Sequence, residues 1–546
     1  MNNPLLQKAS IVFSPTAYGT GTLNSIKPVQ SFGSELVTNG TFDTDSNWTK
    51  NNATISGGKA NFNIVGGAYA KLQQSITYVT GRKYRLTAVV NGTNGKAMRF
   101  RDDTANAGGL TSSNGNLTMT GSDQLVTFEW TANANSDEIA IERHTTSGDY
   151  TFTVDNVSIK EIIDADFGFD RNTTATRVNE SELIETVVAK VPRINYTSKV
   201  GCVLFEPSRT NLVTYSQDFS QWSSLGSPSP TITTNFAISP DGTQNASRYV
   251  VNSSSASTRL ELGAITVSAA SHTFSLYIKN NTGNNSVKLN VFDGSDNNQT
   301  FTATDTWQRI SYTLTTSATS SCFLSIRTSG DADFLIYGAQ FEQQSFKTSF
   351  IPTAGTTITR AAETCNNSKP SVNSTEGVLY AEIAALANDL EYEILSVSDG
   401  STNNRAYLQY TNVSNQIKFV YKVGGATQAG IGTATFDIVD YHKIACKWKA
   451  NDFALWIDGN EVGTDTNGSV NSAGTFTQVN FDDGAGNTDF YGKVKGLAVY
   501  NEALSESQLM QLTGVTASSI YSNFVTRTAS FTVEALNEVK KVIDNL

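Results

Sequence analysis

Glu391 and Glu393, two residues apart, are the nearest approach in this chain to a carboxylate pair that could cleave a glycosidic bond. Such cleavage needs two carboxylates about 5–10 Å apart across the scissile bond, one donating a proton and the other attacking or activating water. The stretch 390–395 lies near a turn and no third acid follows in register, so both glutamates are expected to be solvated residues at a strand edge. The histidines, His144, His272 and His442, are isolated and read as surface or strand residues. An HExxH helix, a GxSxG elbow and a phosphate-cradling glycine loop are all absent. Gly430-Ile431-Gly432 lacks a third glycine and a following helix, which makes it turn material. The chain is therefore expected not to be an enzyme.

Sugar binding asks for less. An aromatic face stacks on a pyranose ring, and Asn, Asp or Arg side chains orient its hydroxyls. Tyr69, Trp222 and Trp456 are the candidates for glycan contact, although each also fits a core position. Trp130 and Trp307 fall on or beside alternating strands and read as core. Trp456 faces away from Phe453, Leu455 and Ile457, so it is either exposed or packed on the neighbouring sheet.

These side chains sit in a chain of 546 residues, enough for three or four domains at about 100–200 residues each. Charged residues make up only 16%, while Gly, Ser, Thr and Asn are abundant, the usage of an extracellular β-rich protein. The net charge of −11 repels phosphate backbones and no basic stripe offsets it, which argues against nucleic acid as a partner. Anionic membrane surfaces are disfavoured for the same reason. No apolar run approaches the roughly 20 residues of a membrane span. Cys202, Cys322, Cys365 and Cys446 have no metal-ligand spacing and are expected to be reduced, buried small hydrophobes; a disulfide from Cys202 to Cys322 or Cys365 is the alternative. Residues 1–5 lack a basic region followed by an apolar one, so no signal peptide is expected. A chain of extracellular composition without one needs another way out, and release by cell lysis inside a virion is such a way.

Residues 1–33 are too short to fold alone and read as an attachment arm that docks onto a partner subunit or a particle body. Residues 34–161 are a series of short alternating strands, among them 60–64, 84–89, 126–130 and 152–159, separated by Gly, Asn and Asp turns: a first β-sandwich. Residues 162–209 are a connector with small strands near 183–190 and 203–205. Residues 210–363 repeat the first sandwich. Asn211-Leu212 leading to Phe219 and Trp222 mirrors Glu35-Leu36-Val37 leading to Phe42 and Trp48, and the stretches from Phe274, Trp307 and Phe334 parallel those from Tyr84, Gln124 and Phe152. Residues 364–515 are a third all-β module with a hairpin at Asp458-Gly459 and a short helix over 502–512, capped by Ser505 with Leu504, Leu509 and Leu512 on one face. A helix over 533–546 closes the chain, its apolar stripe running from Val533 to Leu546.

Three runs carry resemblances. Asn39-Gly40-Thr41-Phe42-Asp43 with Trp48, and Val154-Asp155-Asn156-Val157-Ser158-Ile159 at the other end, make residues 34–161 similar to the jelly-roll carbohydrate-binding modules. In that family the two ends meet and a structural calcium often sits between them, so the resemblance implies Thr41, Asp43 and Asp155 as calcium ligands. Hard oxygen donors suit that ion. The position aligned with Asp155 in the repeat is Tyr337, which removes the carboxylate there. Pro192-Arg193-Ile194-Asn195-Tyr196, Leu204-Phe205-Glu206 and Arg209-Thr210-Asn211-Leu212, together with Gly338-Ala339-Gln340-Phe341-Glu342, Thr348-Ser349-Phe350-Ile351-Pro352-Thr353 and Thr359-Arg360-Ala361-Ala362, resemble a cassette of tailed-phage structural proteins that closes one jelly roll and leads into the next module. Leu455-Trp456-Ile457-Asp458-Gly459 and the stretch 492–500 resemble the concanavalin-like, laminin-G-like fold, whose hydrolases place their acids together on one strand face.

The expectation is an all-β chain of tandem β-sandwiches, two jelly rolls and one concanavalin/laminin-G-like sandwich, with short terminal segments and a C-terminal helix. The expected function is a virion appendage of a tailed phage, a head or tail fibre or a decoration, contacting host surface glycan. Its expected partners are other virion proteins through residues 1–33 and further copies of itself, a trimer by analogy with phage fibres. The alternatives are a capsid or tail component without ligand, a bacterial surface adhesin and, last, a polysaccharide depolymerase.

Overall fold

The computed structural model describes residues 5, 8–26, 31–79, 82–102, 116–132, 136–163, 165–197, 199–252, 255–283 and 285–514. The chain forms two compact units, 30–164 and the remainder. The fold is all-β, in tandem sandwiches, with one α-helix (Glu506–Thr513) among the described residues. The helix over 533–546 expected from the sequence lies outside them.

The first unit is the first jelly roll. One sheet orders Asn116–Thr118, Ala97–Asp102, Ser136–Arg143, Lys71–Thr77 and Thr49–Asn51. The other orders Gln124–Thr131, Lys83–Gly92, Tyr150–Ile163, Lys59–Ile64 and Ala53–Ser56, with Ser31–Glu35 added beside Tyr150–Ile163. Alternation places Tyr84, Leu86, Ala88 and Val90 inward on one strand and Ile139 and Ile141 inward on the facing sheet, which fills the core.

Residues 210–363 repeat this wiring strand for strand. The sheets run Asp296–Thr302, Ser286–Phe292, Ser320–Thr328, Arg259–Val267, Ser223–Leu225 and Gln308–Thr315, Ser271–Asn280, Ala332–Glu342, Ala246–Val251, Thr231–Ala237. The agreement reaches single residues. The closing strand breaks register at the same place in both, between Asp155 and Ser158 opposite Lys83–Gly92 and at Tyr337–Gln340 opposite Ser271–Asn280. At that bulge Asn156 and Gly338 both take positive φ, 51° and 65°. The amide of the next residue donates back to the opening loop in each, Val157 to Gly40 O at 2.9 Å and Ala339 to Ser216 O at 2.8 Å. Trp48 Nε1 donates to Asn39 O and Trp222 Nε1 to Tyr215 O. The register places Tyr337 where Asp155 stands.

The third sandwich is not made by 364–515 alone. Its larger sheet orders Thr364–Asn366, Phe167–Asp170, Thr22–Ile26, Ala9–Gly19, Gly492–Tyr500, Glu376–Ala385, His442–Lys449, Phe453–Ile457 and Asn460–Asp465. Cys202–Leu204 also joins Gly492–Tyr500. The facing sheet orders Ala426–Thr433, Ile417–Val423, Arg405–Tyr410, Glu393–Ser398 and Gln478–Asn480.

This corrects the reading of residues 1–33 as a single arm that docks elsewhere. Ala9–Gly19 and Thr22–Ile26 form a hairpin inside the chain's own sheet, with Ala9 opposite Tyr500 and Phe13 opposite Leu497. Ile11, Phe13 and Leu23 are buried in its core, while Ser31–Glu35 belongs to the first jelly roll. The connector is likewise part of the third sandwich through Phe167–Asp170 and Cys202–Leu204. Its hairpin Ala175–Val178/Ile184–Val187 stands apart as a two-stranded sheet.

The Asp458-Gly459 turn forms as expected, with Asp458 at φ 50° and Gly459 at φ 82° joining two paired strands. The helix carries the expected cap: the Ser505 side chain accepts from Gln508 N and the Gln508 side chain accepts from Ser505 N, a closed capping box. All four cysteines are buried free thiols.

Candidate functional site

Between the second jelly roll and the third sandwich, within one compact unit, lies a cleft of about 920 Å³. That is the size of a small-molecule or oligosaccharide site. The end of the connector contributes Arg209, at the start of the strand Arg209–Asn211, and the second jelly roll contributes the loop from Gln343 to Phe346. The third sandwich contributes Asp389, Glu391, Tyr392 and Glu393 from the entry to the strand Glu393–Ser398, and Asp489 and Tyr491 from the entry to Gly492–Tyr500.

Glu393 decides the character of the cleft. It is only 8% exposed, and its Oε2 has no hydrogen-bond partner. Burial, reinforced by the charges of Asp389 and Glu391, holds its carboxyl well above the ordinary range. Burial also raises Asp389 and Asp489. Tyr491 donates to Asp489 Oδ2 at 3.2 Å. Arg209 hydrogen-bonds Gln344 through Nη2, while its Nε is buried without a partner. Tyr392 is 48% exposed and offers a ring face at the rim. The cleft thus presents a buried carboxyl, further carboxyl acceptors, guanidinium and amide donors and an aromatic face. This donor–acceptor set matches the hydroxyl-rich faces of a sugar.

The reading of Glu391 and Glu393 as solvated edge residues is right for Glu391, which is exposed, and wrong for Glu393. Glu393 opens a strand buried along its whole length. Sequence reasoning found neither Asp489, nearly one hundred positions away, nor Arg209, which it read as part of the cassette.

The cassette has a physical explanation. Its charged residues, with Arg171 and Glu363, form a buried ion network. Arg193 pairs with Glu206 at 2.8 Å and also with Glu363; Arg171 pairs with Glu363 at 2.8 Å and Arg360 with Glu206 at 2.9 Å. Ser349 donates to Glu206 through both N and Oγ, and Thr348 donates to Glu342 in the same way. Burial would raise the Glu206 carboxyl, but the charges of Arg360 and Arg193 and the Ser349 bonds outweigh it and bring the group down to about 2. The network pins the loop after Ala332–Glu342, which forms a wall of the cleft. Arg171 and Glu363 belong to it without having been singled out in the sequence.

Two of the three proposed glycan contacts are core residues. Trp222 is buried against Phe219 and Phe274. Trp456 lies on the outer face of its strand, as its alternation requires, but Leu5, Tyr500 and the helix residues Leu509 and Leu512 cover that face. Only tertiary packing supplies that cover. Tyr69 is 41% exposed, donates to Glu142 Oε2 at 2.8 Å and has Arg143 over its ring, so it remains presentable to a ligand. Trp130 is half-buried against the core of the first jelly roll, and Trp307 is half-buried in a separate small cluster with Ile184, Tyr337 and Phe350.

The ends of the first jelly roll do meet as the calcium reading requires: a Cβ on Gly40 would lie 1.9 Å from Val157 O. Thr41 Oγ1 donates to Asp43 Oδ2 at 2.7 Å, and Asp155 Oδ1 accepts from Asn156 N. Among the described residues no three His, Cys, Asp or Glu side chains gather to share a metal, so an ion between these ends would depend on backbone carbonyls. A different residue closes the ends directly. Glu35 accepts from Leu36, Val37 and Ile159 amides and from Ser158 Oγ. In the repeat, Asn211 accepts from Val213 and Phe341 amides and donates to Ala339 and Ile351 carbonyls.

Residues 379–510 match the family described as the concanavalin A-like lectin/glucanases superfamily, which agrees with the third sandwich. No curated protein matches the chain. Among solved structures, a heptameric SAP-like pentraxin from Limulus polyphemus is 16% identical over 26% of this chain and 70% of its own, with a TM-score of 0.22. The tandem CBM22 domains of Paenibacillus barcinonensis Xyn10C are 9% identical over 58% and 98%, with a TM-score of 0.19. Domains LG4-5 of the mouse laminin alpha1 chain are 10% identical over 46% and 91%, with a TM-score of 0.18. At these scores the likenesses carry no statement about function.

Proposed function

We propose that this chain is a non-enzymatic glycan-binding protein carried on the outside of a tailed-phage particle, as a head or tail fibre or a decoration, and assembled there as a homo-oligomer. The observation that supports glycan binding is the 920 Å³ cleft, in which Glu393 Oε2 and Arg209 Nε are left without partners. Unpartnered buried polar atoms are costly, and the carboxyl, guanidinium and amide groups of the cleft lining match a polyhydroxylated ligand. The phage assignment rests on the resemblance of the 192–362 cassette. Copies of one weak site on an oligomer gain avidity without new contacts. A glycan array probed with the whole protein tests the reading: binding to surface polysaccharides that is lost in Asp389→Asn supports it, and an array silent at every glycan overturns it. Immuno-electron microscopy with antibody to residues 210–515 tests the location, since label on cell envelopes rather than particles would favour an adhesin.

One observation favours a second reading, a polysaccharide depolymerase. A buried carboxyl whose proton affinity is raised by burial and by neighbouring carboxylates is the environment of a general acid. Release of reducing ends from host capsule, abolished in Glu393→Gln, would establish it.

A further inference from the structure

On the other side of the loop carrying Ser345 and Phe346 lies a second cleft, of about 580 Å³, with the opposite charge. Arg309, Lys347 and Lys493 line it. Among the described residues none of the three is ion-paired with a carboxylate. Lys347 Nζ reaches only Ser311 Oγ, at 3.4 Å. Arg309 donates to Thr348 O and to Ser275 Oγ, lies over the Tyr277 ring, and has a buried Nε without a partner. Glu206 also borders the cleft, but Arg193, Arg360 and Ser349 already engage it. Arg177, the fourth cation on the wall, is paired with Glu185. Protein packing and the neighbouring charge of Arg309 both push the Lys347 ammonium below its ordinary range, a sign that the two cations crowd each other. In a chain of net charge −11, cations brought together without a counter-ion mark a place for an external anion.

We infer that this cleft binds an anionic group, a carboxylate or a phosphate, borne by an acidic saccharide. The inference rests on the glycan reading and narrows it: the ligand class becomes acidic polysaccharide, with the hydroxylated part of a unit free to use the neighbouring acid-lined cleft across the shared Ser345–Phe346 wall. Arg309 provides a rigid fork held in place by Thr348 and Ser275, Lys347 and Lys493 provide mobile point charges, and the half-buried Tyr277 ring provides an apolar floor.

The test is calorimetric titration of the full chain with a uronic-acid oligosaccharide, its neutral counterpart, a phosphorylated saccharide and inorganic phosphate. Lys347→Gln and Lys493→Gln are the variants, and a thermal-unfolding check shows that each still folds. The expected result is that an acidic oligosaccharide binds more tightly than the neutral one, that added salt weakens it, and that Lys347→Gln weakens it about tenfold while leaving the neutral one unchanged. The two acidic ligands distinguish carboxylate from phosphate as the preferred group. Equal binding of acidic and neutral oligosaccharides, or acidic binding indifferent to both variants, overturns the inference and leaves the glycan reading standing. Inorganic phosphate binding that depends on Lys347, with no saccharide binding, overturns the glycan reading and keeps the anion site. Absence of all binding overturns both.

Discussion

The two jelly rolls share one wiring and differ in how their ends are finished. The first closes with Glu35, an exposed carboxylate, and leaves Thr41, Asp43 and Asp155 partly or fully open to solvent. The second closes with Asn211, fully buried, and puts Tyr337 in place of Asp155, where its hydroxyl donates to Asp241 Oδ2 and accepts from Gln217. Past that point the second continues into the loop pinned by Glu342 and Glu206, which becomes the wall of two clefts. A duplicated sandwich thus acquires new chemistry where its end meets another module, because a buried end requires every polar or charged group to be partnered, whereas a solvated end tolerates open charge.

Five experiments probe that difference, from the largest expected effect to the smallest. Deleting residues 9–26 removes two strands from the interior of the third sandwich's larger sheet and buried residues from its core. Calorimetry should show loss of that unit's cooperative transition with the 30–164 transition retained, and a soluble deletant with both transitions intact would sink the assignment. Glu363→Gln leaves Arg171 and Arg193 buried without their shared carboxylate and should cost about 3–5 kcal/mol, read as a lower denaturation midpoint in the same unit alone. Asn211→Ala should cost about 1–3 kcal/mol through its orphaned backbone partners, more than Glu35→Ala; equal losses would mean that burial does not separate the two ends.

The fourth prediction concerns pH. Glu206 titrates lower in the folded state than when unfolded, so its contribution is present above the ordinary carboxylate range and fades as pH falls toward about 2. His442 behaves in the opposite sense. Burial lowers its affinity for protons, but the bond to Asp458 at 2.6 Å and the Asp437 carbonyl outweigh that and raise it. Its contribution is therefore present below the ordinary imidazole range and is lost as pH rises through the raised value. His442→Gln should remove that part of the stability–pH profile, measured by urea unfolding across pH 5–9 as an experimental range of about four units around the imidazole value. The smallest effect is expected from Asp155→Ala, which should lower the melting temperature of the first jelly roll in calcium but not in chelator. Equal melting in both would remove calcium from the account.

Much of this molecule was legible locally. Cβ atoms alternate along a strand, so period-two runs marked the strands, and recurrence of those runs exposed the duplication down to the Asp155–Tyr337 correspondence. Turn and cap chemistry fixed Asp458-Gly459 and Ser505 for the same reason. The candidate site was harder to read. Trp456 was placed on the correct face, yet no signal near it said that Leu509 and Leu512 would cover that face. Glu393 was noticed and dismissed because it lies near a turn with no third acid in register, while the folded sandwich buries the whole strand that it opens.

The sequence by itself determined the all-β class, the three sandwiches and the repeat, because strand periodicity, turns and caps are properties of a few adjacent residues. Tertiary structure alone decided that Ala9–Gly19 pairs with Gly492–Tyr500, that Arg171 meets Glu363, and that an acid-rich and a cation-rich cleft lie on either side of one loop. Those pairings join residues far apart in the chain, and their energies arise only once closure has brought the partners together and excluded water.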